Sequence, residues 1–155
     1  MEAESMAQTS VDQAASLAAF RDASMEFDHV YDLLAKSSGL SYPEFWSLVL
    51  IRDGVLTQRE ISSQLSIGPQ TLNSAFKLLV KKGFIRLEPF ENDQRSKRAL
   101  LTPQGERCLT ERILPALRLE EQAWLSLTEE EQAALPRITH KFSTALRRAL
   151  DGRDN

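Results

Sequence analysis

The stretch from residue 56 to residue 105 constrains the fold most, because its signals come in the order helix, turn, helix, hairpin. Thr57 followed by Glu60 is a capping box, which predicts the start of a helix. The chain breaks at a Gly-Pro pair and restarts at Pro69, since proline suits the first position of a helix. A second helix is predicted over residues 70–82, with a glycine after it.

The second helix of this pair carries a polar stripe in which residues recur about every three or four positions. Short hydrogen-bonding side chains lie near its N-terminal end and lysines near its C-terminal end. A recognition helix in the major groove needs this order, because short polar groups contact base edges and lysines contact phosphates. A solvated helix face with ordinary surface lysines is the alternative interpretation. The candidate DNA contacts here are Gln70, Thr71, Asn73, Ser74, Lys77 and Lys81.

A short hairpin is predicted after the second helix. Strands at residues 84–87 and 99–101 would flank a connection at residues 88–98, which is longer than most hairpin loops. Residues 55–56 would add a short third strand. A cationic hairpin beside a helix-turn-helix is a wing, which reaches phosphates or the adjacent minor groove. The basic residues at the end of the connection are Arg95, Lys97 and Arg98.

These motifs together resemble the multiple antibiotic resistance regulator (MarR) family of winged-helix transcription factors. The resemblance rests on LTQREIS at the first helix, KLLVKKGFI at the passage into the wing, the DQR wing tip and the LLTPQG exit. In that family the wing arginine enters the minor groove and a nearby aspartate orients it, which implies these roles for Arg95 and Asp93. The family often has a basic residue near Ser74, so its base preference does not carry over.

The uneven distribution of charge agrees with a DNA-binding segment in the middle of the chain. The 155 residues carry a formal net charge of −3, which argues against a protein that coats nucleic acid. Residues 52–112 nevertheless hold 11 Lys and Arg against 7 Asp and Glu, and the remainder holds 8 against 15. A basic central segment between acidic flanks suits a DNA-binding protein in which only the central segment contacts the DNA.

Amphipathic helices are predicted on both sides of the winged segment. The first would run over residues 11–37, after about ten disordered residues, and its apolar stripe needs a partner in water. Ser41 and Glu44 form a second capping box. The helix that follows is apolar nearly all round, so it should be buried at the centre of the lobe. After the wing, Thr102 opens one helix and Thr128 opens the last.

The two flanking helical regions allow two arrangements. Both ends pack on the core of their own monomer, or they interleave with a second copy. The resemblance favours a homodimer, with residues 11–38 and 106–150 as dimerisation helices and residues 40–105 as the DNA-binding lobe of a single domain, 1–155. A two-fold protein matches a pseudo-palindromic operator in double-stranded DNA. The expected fold class is mainly α with a small β wing, a winged helix-turn-helix between N- and C-terminal dimerisation helices.

The sequence predicts neither an enzyme nor a cofactor or metal site. The two histidines, His29 and His140, lie far apart, and a structural zinc site needs four ligands. One cysteine excludes an internal disulfide and fits a reducing cytoplasm. No apolar run approaches the roughly 18 residues that span a bilayer. The acidic, polar N-terminus is unlike a signal peptide, so a cytoplasmic protein without membrane contact is expected.

A small aromatic effector is a further implication of the resemblance. The family often binds aromatic or phenolic molecules between the dimer helices and the reading lobe. Such an effector would relieve repression by favouring a state of the dimer in which the spacing of the two DNA-binding lobes does not match the operator. The candidate pocket residues are Tyr31, Tyr42, Phe45 and Trp46. The alternative is that these side chains are simply core, which is the stronger interpretation for Phe45 and Trp46.

Two other functions stay open on the sequence. One is a winged-helix protein-interaction module that has lost DNA binding. The other is a thiol-based redox sensor that uses Cys108, since Arg107 and Arg112 lie near it in the chain and cations lower a thiol pKa. A lone cysteine on an apolar helix side is more often a small core residue.

Overall fold

The computed structural model describes the backbone of residues 2–90 and 93–152 and the side chains of residues 17–89 and 97–152. Over these residues the chain is helical apart from one two-stranded antiparallel sheet, so the expected mainly α class with a small β wing is confirmed. Two compact units divide it, Met1–Ala116 and Leu117–Asn155. The elements are α1 (Glu2–Ser37), α2 (Tyr42–Arg52), α3 (Gln58–Leu65), α4 (Pro69–Lys81), β1 (Ile85–Phe90), β2 (Asp93–Leu101), α5 (Pro103–Cys108), a π-helical turn (Leu109–Ile113), α6 (Leu114–Leu125) and α7 (Glu129–Asp151).

The helix starts are set by the predicted caps. In each capping box a glutamate carboxylate accepts a hydrogen bond from the backbone N–H of the N-cap residue, which satisfies a donor that the helix itself leaves unpaired. At α5 the Thr102 hydroxyl accepts from the backbone N–H of Gly105 instead. The N-cap and glutamate pairs are Ser41 with Glu44, Thr57 with Glu60, and Thr128 with Glu131.

The first helix is longer than expected. It begins at Glu2 and not near Val11, so the expectation of disorder over residues 1–10 is wrong for residues 2–10. The reason lies in their composition, since glutamate, alanine, methionine and glutamine in this segment all favour a helix.

The core of the first unit forms around α2. Phe45 and Leu48 on this helix have no exposed surface, and Ile61 of α3 and Leu72 of α4 pack as completely. This arrangement anchors the inner face of α4, which also buries Ala75, Phe76 and Leu79. Val80, the residue after Leu79, is 43% exposed and lies outside this buried stripe.

The wing differs from the predicted hairpin. Most of the expected connection at residues 88–98 is strand, because the ladder continues through the pairs Glu88–Arg98 and Pro89–Lys97. Opposite charges directly across a ladder favour this pairing. The third strand expected at residues 55–56 is reduced to a single bridge between Thr57 and Arg98, supported by a hydrogen bond from Ala99 N–H to the Leu56 carbonyl.

A tight junction connects α4, the wing and α5. Gly83 ends α4 with φ +71°, a conformation that side chains rarely adopt. Thr102 donates its backbone N–H to the Phe84 carbonyl at 3.0 Å and its hydroxyl to the Gly83 carbonyl. A Cβ on Gly105 would lie 2.0 Å from the Phe84 carbonyl oxygen, so this position admits only glycine. The junction therefore fixes where the wing leaves the helical core.

The second unit contains residues 117–125 of α6 and all of α7. The Gln132 side chain donates to the carbonyl of Trp124 at 2.9 Å, which joins the start of α7 to α6. The α7 helix carries an apolar stripe at spacings of three to four residues, and the side chains named here are 46–55% exposed: Leu135, Ile138, Leu146 and Leu150.

Within the described ranges, no helix has the length and apolar character required for a membrane crossing.

Candidate nucleic-acid interface

The outer face of α4 displays the side chains that the sequence nominated. All six of them are exposed, on a helix whose other side is anchored in the core. The Ser74 hydroxyl donates to the Gln70 carbonyl at 3.1 Å, which leaves its lone pairs available as acceptors. The helix thus offers short polar groups in its first half and the cations Lys77 and Lys81 in its second half.

Lys82, next to this face, is partly exposed and forms an ion pair with a buried carboxylate. Its Nζ lies 2.7 Å from Oε1 of Glu44, whose side chain is only 4% exposed. Burial alone would raise the pKa of Glu44, but hydrogen bonds from Lys82 and Ser41 outweigh it and lower the pKa below its usual value. The ion pair connects the start of α2 to the end of α4 and so helps to set the position of the outer face.

The wing presents a three-residue charge cluster. Nε of Arg86 lies 2.8 Å from Oε1 of Glu88, and Nη2 of Arg98 lies 3.3 Å from Oε2 of the same carboxylate. The hydrogen bond from Arg86 is the main reason why the pKa of Glu88 is lowered, so this carboxylate stays ionised at neutral pH. The Lys97 side chain is exposed.

Arg86 was missed in the sequence, although an alternation signal was present. Arg86 and Glu88 are two residues apart and therefore share a face of β1. Reading residues 88–98 as a loop hid this alternation. Arg98, nominated as a phosphate contact, is ion-paired with Glu88 and has a side chain 37% exposed.

Asp93 and Arg95 belong to β2 by backbone, but their side chains lie outside the described residues. Their roles at the wing tip remain predictions.

The four aromatic residues nominated for a pocket do come together. The Trp46 ring centroid lies 5.9 Å from that of Tyr31, 6.2 Å from that of Tyr42 and 5.1 Å from that of Phe45. Phe45 is fully buried and belongs to the core, whereas the other three are half-buried. Phe27 was not among the nominated residues, but its ring centroid lies 4.7 Å from that of Tyr31, with the two ring planes tilted by 49°.

Two polar groups mark this aromatic cluster. Trp46 Nε1 is buried and has no hydrogen-bond partner among the described residues. Burial, with a smaller contribution from the Asp28 carboxylate, raises the pKa of Tyr42, so its hydroxyl stays protonated. The cluster therefore combines apolar rings with an unpaired donor.

The sequence model of the MarR family matches residues 38–96, which span α2, the helix-turn-helix and most of the wing. The winged helix of this chain is similar to that of the MarR family. The matched segment is the one on which the resemblance seen in the sequence rests.

Known proteins extend the likeness beyond the matched segment. The uncharacterized HTH-type transcriptional regulator YwoH of Bacillus subtilis is 28% identical over 103 residues, or 65% of this chain and 74% of YwoH. NMB1585, a MarR family regulator from Neisseria meningitidis, superposes with a TM-score of 0.78 at 18% identity, covering 89% of this chain and 98% of its own. Sco3205, a MarR family transcriptional regulator from Streptomyces coelicolor solved in complex with DNA, gives 0.70 at 24% identity and 86% of each chain. These structural matches show a shared fold.

The only cysteine of this chain is a buried core residue. Cys108 is 4% exposed, and burial raises the pKa of its thiol despite the opposing charges of Arg112 and Lys82. The expectation that nearby arginines lower this pKa is therefore wrong, because desolvation is the larger effect. A protonated, buried thiol is a poor nucleophile, which disfavours redox sensing.

No group of three or more His, Cys, Asp or Glu side chains that could hold a metal ion is found in the part of the chain that the structure describes.

Proposed function

We propose that this chain is a homodimeric, sequence-specific transcriptional repressor that a small aromatic effector releases from its operator. The observation that carries the proposal is the outer face of α4, where polar and cationic side chains are exposed on a helix whose inner face is locked into the core. A rigid helix of 13 residues with this face suits insertion into the major groove. The proposed site of action is the cytoplasm, where the operator DNA would lie.

The proposed contacts divide by chemistry. The short polar side chains of α4 read base edges in the major groove, because their donors and acceptors match the groups displayed there. Lysines and wing cations bind phosphates and fix the register on the duplex. Arg95 enters the minor groove with Asp93 orienting it, as the family resemblance implies. Base contacts are assigned to Gln70, Thr71, Asn73 and Ser74, and phosphate contacts to Lys77, Lys81, Lys97 and Arg98.

Dimerisation through residues 11–38 and 106–150 is supported by apolar side chains left exposed in each unit. In α1, Met25 is 63% exposed and Val30 is 52% exposed, and the α7 stripe is exposed to a similar degree. Apolar surface of this extent marks an interaction site, since its burial against a second copy is favourable. Two copies would bring two reading helices to one pseudo-palindromic operator.

The aromatic cluster is the proposed effector site. Tyr31, Tyr42 and Trp46 supply half-buried rings, and the unpaired Trp46 Nε1 supplies a hydrogen-bond donor for a phenolic or carboxylate oxygen. Trp46 and Tyr42 lie on α2, which packs against α4. An effector that prefers a shifted α2 would change the spacing of the reading helices and lower operator affinity.

Replacing the wing arginine tests the DNA-binding proposal. Arg95→Ala should weaken operator binding by about 1–3 kcal/mol, the cost of losing one good groove contact. Fluorescence anisotropy with a labelled duplex, titrated at several salt concentrations, measures this loss. Affinity for random-sequence duplex should fall much less.

Lys81→Ala is the matched comparison, because a phosphate contact carries no sequence information. It should weaken binding to operator and random duplex alike and flatten the salt slope by about 1. Operator affinity unchanged by Arg95→Ala would remove the wing from the interface. Binding to no duplex at low salt would favour the protein-interaction module instead.

A further inference from the structure

Glu88 is the only described acidic side chain on the wing, and it lies between two arginines that face the same side. Each of its carboxylate oxygens is held by a different guanidinium, at 2.8 Å from Arg86 and 3.3 Å from Arg98. In the ladder Glu88 is directly opposite Arg98, while Arg86 is its neighbour on the same strand face. The cluster is therefore built by the strand register and does not depend on chance contacts of long side chains.

The cluster is open to solvent. The Arg86 side chain is 54% exposed, and those of Arg98 and Glu88 are 37% and 35% exposed. Arg98 is only partly satisfied, since its buried Nε has no partner within the described residues. Neither Nε is available to a phosphate, because that of Arg98 is buried and that of Arg86 is bound to Glu88, but the Nη groups of each guanidinium carry further N–H donors.

A fixed carboxylate at this place opposes such binding in two ways. It occupies the donors that point toward it, and its negative charge repels an approaching phosphate. The hydrogen bonds that hold it also lower its pKa, so the charge persists at the pH of the cell. Arg86 and Arg98 then contribute less to sequence-independent attraction than two unpaired arginines would.

We propose that Glu88 is an intramolecular competitor for DNA phosphate, and that Arg86 is a further DNA-facing cation whose contribution Glu88 restrains. The proposal rests on the proposed DNA binding. Its functional consequence is weak binding to arbitrary sequence, because the attraction that does not depend on sequence is partly cancelled within the wing. Base contacts on α4 are thereby left to decide where the protein binds.

Glu88→Gln in the full chain tests this directly, since it removes the charge and keeps the shape. Anisotropy titration with a labelled duplex of random sequence, repeated between about 50 and 200 mM salt, should show tighter binding by about three- to ten-fold at low salt. The slope of log affinity against log salt should steepen by about 1, as expected for one additional phosphate contact. A circular dichroism melt of the same sample checks that the wing variant is folded.

Asp151→Asn is the charge-matched control, because it removes one exposed carboxylate at the end of α7. If Glu88→Gln and Asp151→Asn change affinity and salt slope equally, only net charge matters and the proposal is overturned. The same holds if Glu88→Gln weakens binding. Failure of the wild-type chain to bind any duplex at low salt is the separate result that removes the DNA-binding proposal itself.

A double-mutant comparison assigns the effect to the cluster. Arg86→Ala should reduce affinity for random duplex more in the Glu88→Gln background than in the wild-type chain, because only there is Arg86 released from its partner. Equal losses in both backgrounds would show that Glu88 acts independently of Arg86 and would overturn the assignment of Arg86.

Discussion

Gly105→Ala is expected to lower the free energy of unfolding by about 3 kcal/mol, at the upper end of the usual cost of overpacking. The added Cβ would stand 2.0 Å from the Phe84 carbonyl oxygen, a distance that non-bonded atoms do not adopt. That oxygen already accepts the backbone N–H of Thr102, so it cannot move without breaking the cap of α5. Urea denaturation followed by circular dichroism measures the change.

Gly68→Ala is the matched control for this prediction. No atom lies within 4 Å of a Cβ at Gly68, and its φ of −58° is available to alanine. It should therefore cost less than about 1 kcal/mol, the modest penalty of alanine at an N-cap. Equal stability of Gly105→Ala and wild type would mean that the junction between the wing and α5 is not packed as described.

Lys82→Met is expected to destabilise the fold by about 3 kcal/mol at neutral pH, at the low end of the range for breaking a buried ion pair. It leaves the Glu44 side chain, 4% exposed, without its 2.7 Å partner. The low end applies because the Lys82 side chain is 37% exposed, so water already screens part of the attraction. Urea denaturation across a range of pH measures the loss.

The pH dependence of this loss has a definite sign. Folding lowers the pKa of Glu44, so in the wild-type chain its contribution is present above the pKa of the unfolded chain and disappears as pH falls through the lower folded value. Removing Lys82 takes away hydrogen bonding and charge that lower this pKa. The destabilisation should therefore be greatest at neutral pH and shrink as pH falls below the usual glutamate pKa, because the carboxyl is protonated first in the unfolded chain and then in the folded chain.

Lys81→Met is the comparison that isolates the ion pair. It removes the same charge one position earlier, on the exposed face of α4, and should change stability by less than about 0.5 kcal/mol. If the two methionine variants are equally stable at neutral pH, the Glu44–Lys82 pair does not hold α2 to α4.

The helical part of the fold could be predicted because its signals are local. The capping boxes at Thr57 and Thr128 each involve residues three positions apart, and the structure contains both. The exposed face of α4 follows from periodicity within one helix. Such features depend on neighbours in sequence, which a single sequence displays.

The features that were missed depend on residues far apart or on weak patterns. Glu44 and Lys82 are 38 positions apart, and neither position signals the other. The longer wing strands were hidden because a solvated hairpin has few apolar residues to show alternation, as at Arg86 and Glu88. Whether the pocket aromatics were core or site needed three-dimensional burial, which separated Phe45 from Tyr31 and Trp46.

Selection of bound fragments from a pool of random duplex DNA by the purified full-length chain tests the central claim most directly. That claim is that the outer face of α4 and the wing form one surface that binds a duplex, presented twice by a dimer. The enriched sequences should share an inverted repeat whose half-sites are centred about one helical turn apart, roughly 10–10.5 base pairs. Recovery of no enriched sequence at low ionic strength would contradict the claim.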